Sequence, residues 1–390
     1  MPYSNIKSFK INGFLSFAKG ASTVELNQLN VVIGPNGSGK SNLIEALQLL
    51  AATPVDFAGA VRRAGGIDSL LWQGKRNPQS LKEAGFEIKL GNFNIQNRQL
   101  DYRIAFNSQE HGVNILEEEI IHSLDDQSRM LLHYHCDEPK VTIQEIDQAQ
   151  KQRNRTDLGF LKQNQSILSQ LRDQENYPTL YWLSDYLNRM QFFRGWSFGP
   201  EAAVRQPQRV DDPTDYLLPD ARNLALVVNE LVLQNTPRQQ FHSAMQKFLP
   251  RFERCALRIS EGAPILYLHE HGNDSPIPAS RMSDGTLRFI AILAALLAPT
   301  PPSLLCIEEP EIGMHPEALM LLAELLIEAS KRMQIIVVTH SDILLNALRG
   351  RLESVLLCEN EGEGTILSHI ARDDSNNRLD KLLFGQGNRS

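Results

Sequence analysis

The sequence predicts an α/β protein: a parallel or mixed sheet flanked by helices, with antiparallel β elements near the N-terminus and a helical insertion between. Three observations predict it. First, toward the C-terminus "RFIAILAALLA", "SLLCIEE", "PEALMLLAELLIEAS", "MQIIVVTH", "SDILLNAL" and "SVLLCE" alternate between helical and strand patterns. Such alternation marks parallel strands covered by helices on both faces. Second, "NVVIGPNGSGKSNLIEALQLLA" reads as strand, glycine-rich turn and helix. Third, "FEIKLG" and "LDYRIAFN" have the pattern of a hairpin of half-buried strands.

In chain order, residues 6–17 and 23–33 read as strands. The helix after the glycine-rich turn carries Leu43, Ala46, Leu47 and Leu50 on one face. The hairpin style continues through 111–135. Residues 140–175 are rich in Gln and Asn, and Leu161, Leu168 and Leu171 keep helical spacing, which predicts a polar helical excursion. Residues 178–260 read as mainly helical, interrupted by the proline-containing "FGPEAAVRQPQRVDDPTDYLLP". The expected organisation is an N-terminal lobe over 1–135, a mainly helical insertion over 136–260 and a C-terminal lobe over 261–390.

At 42% hydrophobic and 22% charged residues, the 390-residue chain has ample material for a core. A net charge of −7 excludes a surface that is basic throughout and leaves room for a local basic patch. Arg194, Arg205 and Arg209 form a modest basic cluster in the sequence. Cys136, Cys255, Cys306 and Cys358 are widely spaced, as reduced thiols of a cytosolic protein are. The start carries no apolar signal core, and "FIAILAALLAP" is too short to span a bilayer. The expectation is a soluble, cytoplasmic chain with no membrane partner.

The stretch "GPNGSGKS" fits G-x-x-x-x-G-K-[ST] between a strand and a helix. Glycines let successive backbone N–H groups approach phosphate oxygens, and the helix N-terminus adds its positive dipole end. Gly34, Pro35, Asn36, Gly37, Ser38, Gly39, Lys40, Ser41 and Asn42 are therefore candidate nucleotide contacts. Lys40 suits the β- and γ-phosphates, and the Ser41 hydroxyl suits Mg²⁺. A bound ATP with Mg²⁺ also accounts for "LLCIEEPEIGMHP", where an apolar run ends in three glutamates. Glu308 at the strand end can face the Mg²⁺ shell. Glu309 points elsewhere and can polarise an attacking water. Left unpaired in an apolar setting, such carboxylates would cost several kcal/mol.

Two further pieces follow. "RMSDGTLRFIAILAALL" places Ser283, Asp284 and Gly285 at the mouth of an apolar helix. Ser283 or Asp284 caps that helix, or the helix start forms a second anion site. "QIIVVTHSD" ends a strand in Thr339 and His340, one helix after the acidic strand. "HYHCD" sets His133 and His135 two apart, but no second ligand pair matches them.

The order of these motifs resembles the ABC-type ATPases of the RecF/SMC class, and most nearly their compact bacterial members. The resemblance covers about 1–135 and 255–370 and implies a P-loop NTPase with an ABC-type head. It implies two copies packed head to tail with ATP at the interface, Lys40 and Ser41 of one facing Ser283 and Gly285 of the other. Glu309 would be the general base or water-orienting residue, and His340 the γ-phosphate sensor. The stretch with Glu311 and His315 falls where the D-loop of the class crosses the dimer interface. For the Q-loop glutamine, Gln191 is preferred over Gln73. The sequence departs from the class in three places: Glu308 where many relatives have Asp, "MSDG" for the transporter-type "LSGG", and Leu15 where many carry a basic residue. Three functions follow: an ATP-gated dimer acting on DNA in repair or phage defence, a regulatory ATPase holding a partner effector such as a nuclease or toxin, and, third, a transporter subunit.

Overall fold

The computed structural model describes the chain except residues 1–3, 21–22, 75–82, 94–97, 111, 125–126, 136–137, 147–151, 157–161, 163, 261, 361, 363 and 371–390; side chains of 92–98 and 122–161 are also outside the description. Contacts group the described residues into two units, one within 4–190 and 353–370, the other within 191–352. These bounds differ from the expected 1–135, 136–260 and 261–390.

The first unit holds an eight-stranded sheet. Its order is Val24–Glu25, Asn5–Asn12, Glu83–Phe93, Arg98–Gln109, Gly112–Leu124, Gln127–His135, Glu138–Ile146 and Gln152–Thr156, every neighbouring pair antiparallel. The alternation read from the sequence is the burial pattern: Phe86, Ile88 and Leu90 lie opposite Ile104, Tyr102 and Leu100, and all are buried. Phe86 collects Phe9, Phe14 and Phe106 at ring distances of 6.1, 5.2 and 5.4 Å. These aromatic contacts give the sheet its core on one face.

The polar helical excursion expected over 140–175 is instead strand at Glu138–Ile146 and Gln152–Thr156, with one helical turn at Ile167–Gln170. The β-branched run Val141, Thr142, Ile143 suits a strand, and the Gln-rich composition around it masked that preference. Glu118, fully buried on the same sheet, fixes this helical turn. Its carboxylate accepts from the Tyr102 hydroxyl at 2.9 Å, the Ser166 hydroxyl at 2.7 Å and the Ile167 N–H at 2.7 Å.

The same unit carries the buried strand Leu29–Ile33, which runs parallel to Val355–Asn360. That strand in turn pairs antiparallel with Thr365–His369. Helix Lys40–Ala52 follows Leu29–Ile33 across the glycine-rich loop and buries Leu43, Ala46, Leu47 and Leu50.

In the second unit Gln191–Phe193, Leu304–Glu308 and Gln334–Val338 form a parallel run. Leu304 pairs with Gln334 and Glu308 with Val338, so the last two strands end at one level. Helix Asp284–Leu297 is buried from Leu287 to Leu296 and packs against Asn235–Phe248 and Pro316–Ala329. A separate antiparallel sheet is made of Phe252–Ser260, Ala263–Glu270 and Ile277–Pro278. Among the described residues no helix is long and apolar enough to cross a membrane.

Burial holds the Glu118 carboxyl above its usual range, against the lowering pull of its three donors. The folded form therefore binds a proton more tightly than the unfolded chain. Stability from this group is complete below the unfolded value and is lost as pH rises through the folded value. Glu118→Gln should cost about 1–3 kcal/mol at neutral pH. In urea titrations from acidic to neutral pH, the stability of wild type relative to Glu118→Gln should fall as pH rises; a difference that does not change with pH would contradict this.

Candidate nucleotide-binding site

The phosphate loop belongs to the first unit. It joins a strand buried over all five residues to the start of helix Lys40–Ala52. A Cβ on Gly34 would lie 2.1 Å from the Cys358 carbonyl oxygen, so the loop needs glycine there. Gly39 is the helix N-cap at φ 108°, and a Cβ would meet the Thr365 hydroxyl at 2.2 Å. Buried Lys40 bends back over the loop, its ammonium donating to the carbonyls of Gly34 and Pro35 at 2.8 Å each.

Two residues outside the motif support it from behind. The Thr365 hydroxyl donates to the Ser38 carbonyl at 2.7 Å, and Thr365 and Ser16 hydroxyls meet at 2.6 Å. The Asn42 amide donates to the Ser16 hydroxyl at 2.7 Å, so Asn42 is held by the protein's own network. The Cys358 thiol, raised mainly by burial, donates to the same Ser38 carbonyl at 3.4 Å. A glycine-rich turn that opens a helix, with a buried ammonium held over it, fits a polyphosphate. Ser41 is exposed at the helix start.

The acidic cluster belongs to the second unit, and its three glutamates are held in three ways. Leu304 to Ile307 are fully buried. Glu308 ends the strand and pairs with the Arg194 guanidinium at 3.0 Å. Glu309 turns out of the strand with φ 49°, a left-handed conformation that costs a side chain about 1–3 kcal/mol. Its N–H donates to the Val338 carbonyl at 2.8 Å, and its carbonyl accepts from Arg288 at 3.5 Å. Its carboxylate stays open to solvent, 3.9 Å from the His340 ring. Glu311 accepts from the Thr339 hydroxyl at 2.7 Å and the His340 N–H at 2.8 Å. Glu309 and His340 therefore stand together, as their strand ends predict.

The signature turn is built as a cap. The Ser283 hydroxyl accepts from the Thr286 N–H at 3.1 Å. A Cβ on Gly285 would lie 2.5 Å from the Gly313 carbonyl oxygen, which explains glycine there. Behind the turn, buried Arg205 donates to the carbonyls of Phe198, Ala279 and Met282 and pairs with Asp284. Arg288, whose pKa burial lowers, donates to the Trp196 carbonyl and lies over the Phe198 ring.

Several expectations need correction or limits. Arg194, Arg205 and Arg209 are no free basic patch: they pair with Glu308, Asp284 and Asp211. Gln191 is not brought to the carboxyl end of its strand. It pairs with Leu305, three residues before Glu308, or about 10 Å short at a strand's rise. Gln73, whose amide donates to the Asp68 carbonyl, lies on the unit with the phosphate loop. The side chains of His133 and His135, and Cys136, lie outside the described residues. Among the described residues no group of three or more His, Cys, Asp or Glu is placed to hold a metal on its own. Ser16, Thr365 and Arg288 escaped sequence reasoning, as did the bracing role of Arg205. Ser16 and Thr365 are 349 positions apart, and no local pattern signals such a pair.

Comparison with known proteins identifies a family and a fold. A family profile described as "AAA domain, putative AbiEii toxin, Type IV TA system" matches residues 29–346. The fold is similar to a crystal structure of an Smc head bound to the C-winged helix domain of ScpA, at TM-score 0.56 and 14% identity over 95% of this chain and 99% of that one. It is also similar to an Smc head domain with an extended coiled coil bound to the C-terminal domain of ScpA, derived from Pyrococcus furiosus: TM-score 0.54, 13% identity, 97% and 99% coverage. An Smc head with a coiled coil and joint from Pyrococcus yayanosii aligns at TM-score 0.56 and 11% identity, with 97% and 99% coverage. In sequence, the chromosome partition protein Smc of Halothermothrix orenii is 26% identical over 87 residues, which is 22% of this chain and 7% of that protein.

Proposed function

We propose, for a chain that belongs to the family described as "AAA domain, putative AbiEii toxin, Type IV TA system", that ATP-driven pairing of two copies gates the action of a bound partner effector. The chain is a P-loop ATPase of the RecF/SMC-like class, and the finer reading concerns what its turnover controls. A built but uncovered surface supports pairing. Ser283 and Asp284 stand exposed on a turn braced by Arg205 and Gly313. Ile312, Met320 and Ile343 are exposed on the elements beside Glu309 and His340. A second copy would cover such apolar side chains.

In this reading Lys40 and the loop N–H groups bind the β- and γ-phosphates, while Ser41 and Glu308 hold Mg²⁺. The ion, when bound, neutralises charge on the phosphoryl oxygens. The Glu309 carboxylate orients a water and takes its proton as the water attacks the γ-phosphorus, and the bond from that phosphorus to the β-phosphate oxygen breaks to release ADP. His340 contacts the γ-phosphate, and Ser283 and Gly285 of the second copy close the site. The family description names a toxin–antitoxin system, and that context is the ground for placing an effector function under ATP control.

A second reading, direct contact with DNA in repair or phage defence, is favoured by one surface. Arg254, Arg258, Tyr267 and His269 share a face of the separate antiparallel sheet. The Arg258 guanidinium lies 5.1 Å over the Tyr267 ring, and Arg254 reaches His269 at 3.5 Å. Burial and these two arginines lower the His269 pKa. Guanidinium beside aromatic ring is the chemistry of single-strand binding, although Glu253 offsets part of the charge at Arg254.

Mixed subunits test the pairing. Lys40→Ala and Ser283→Arg homodimers should each be inactive, and their mixture should recover ATPase activity through dimers with one intact site. Activity no higher than the linear blend, or a fully active Ser283→Arg protein, would refute a shared site. For DNA, wild type should bind single-stranded DNA with an affinity that falls with salt. Arg254→Glu/Arg258→Glu should abolish that binding; binding unchanged in the variant would refute the surface.

A further inference from the structure

We infer that Glu311 is a positioning residue for ATP hydrolysis: its carboxylate fastens Thr339 and His340 to the turn that carries Glu309. The inference rests on the roles proposed for Glu309 and His340. Of the three closely spaced acids, Glu308 pairs with Arg194, and the Glu309 carboxylate stays open to solvent. Glu311 does neither. It reaches across to the end of the neighbouring strand and accepts two hydrogen bonds there, from the Thr339 hydroxyl at 2.7 Å and the His340 N–H at 2.8 Å.

Without Glu311 the pairing of the two strand ends would be a weak constraint. Sheet bonding last fixes Glu308 against Val338 and the Glu309 N–H against the Val338 carbonyl. Beyond that level both chains leave the sheet, Glu309 with a left-handed backbone and His340 with an exposed side chain. The two hydrogen bonds that one Glu311 oxygen accepts then set the separation of the Glu309 carboxylate and the His340 ring, 3.9 Å apart. The turn is stiff enough to transmit this, since the Ile312 N–H donates to the Glu309 carbonyl and the Met314 N–H to that of Glu311.

Both bonds end on the same oxygen, Oε1, while Oε2 is buried and lacks a hydrogen-bond partner among the described residues. An amide oxygen at the Oε1 position could accept both donors. The clamp needs an acceptor at a fixed place and not a negative charge. This separates positioning from two other roles for a carboxylate at this place, a base or a cation ligand, both of which need the charge.

Steady-state kinetics on the full chain, with folding checked by circular dichroism, tests this. Glu311→Ala should lower kcat about 10- to 100-fold, as a misplaced catalytic group does, and shift the KM for ATP by less than about threefold. Glu311→Gln should stay within about threefold of wild type in kcat. In a His340→Ala background Glu311→Ala should cost little more, because the group it positions is already gone. If Glu311→Ala does not fold, Thr339→Val removes one donor and should lower kcat in wild type but not in His340→Ala. A Glu311→Gln protein as impaired as Glu311→Ala, or full independence of the two losses, would overturn the clamp. Full activity of His340→Ala would refute the role of His340. A loss there beside full activity of Glu311→Ala would refute the clamp alone.

Discussion

Three carboxylates follow a strand whose preceding four residues have no contact with water. A carboxylate left unpaired in that setting costs several kcal/mol. The second unit is arranged around meeting this cost three times. Arg194 at the end of the adjacent strand neutralises Glu308. The chain reverses its handedness at Glu309, which swings that side chain into solvent beside His340. Glu311 takes the hydroxyl and N–H that the end of strand Gln334–Val338 offers. Electrostatic necessity thus places a free carboxylate, a histidine and a shielded carboxylate at one edge of a rigid parallel sheet. Strain at Glu309 persists because its N–H and carbonyl are both bonded.

The phosphate loop and the signature turn use a common device. Each is a tight turn in which a glycine faces a carbonyl oxygen from elsewhere, Gly34 against Cys358 and Gly285 against Gly313. Each is then braced by a polar group that is distant in sequence. Thr365 and Ser16 brace the first, and Arg205, 79 positions from Asp284, braces the second. Groups that bind or stabilise charge act best when their geometry is set beforehand. Here the setting comes from backbone carbonyls and buried donors, and the motif residues supply only the chemistry.

Much of this was legible in the chain. The parallel strands, the phosphate loop, the acidic strand end and its neighbour Thr339–His340 all carry local patterns, because each depends on residues close in sequence. The strands Glu138–Ile146 and Gln152–Thr156 were not legible: their polar composition hid the β-branched run at Val141–Ile143. Nor was the fate of the arginines. Arg194 and Arg205 look like a basic cluster in one dimension and become internal ties in three, since their partners lie 114 and 79 positions away. Gln191 shows the same limit. It was read as following the strands, whereas it opens the strand Gln191–Phe193 in a register three residues below Glu308.

The central claim is that the turn at Glu309 presents a carboxylate that acts on water while the phosphate loop independently holds the nucleotide. The most direct measurement is ATP affinity and single-turnover hydrolysis on one preparation of Glu309→Gln. The amide keeps the shape and cannot take up a proton as a carboxylate does. The account predicts ATP binding close to wild type with hydrolysis reduced by about 100-fold or more, of the order that loss of a general base allows. Hydrolysis at the wild-type rate, above all if Glu308→Gln abolished it, would contradict the account and assign the chemistry to the other glutamate.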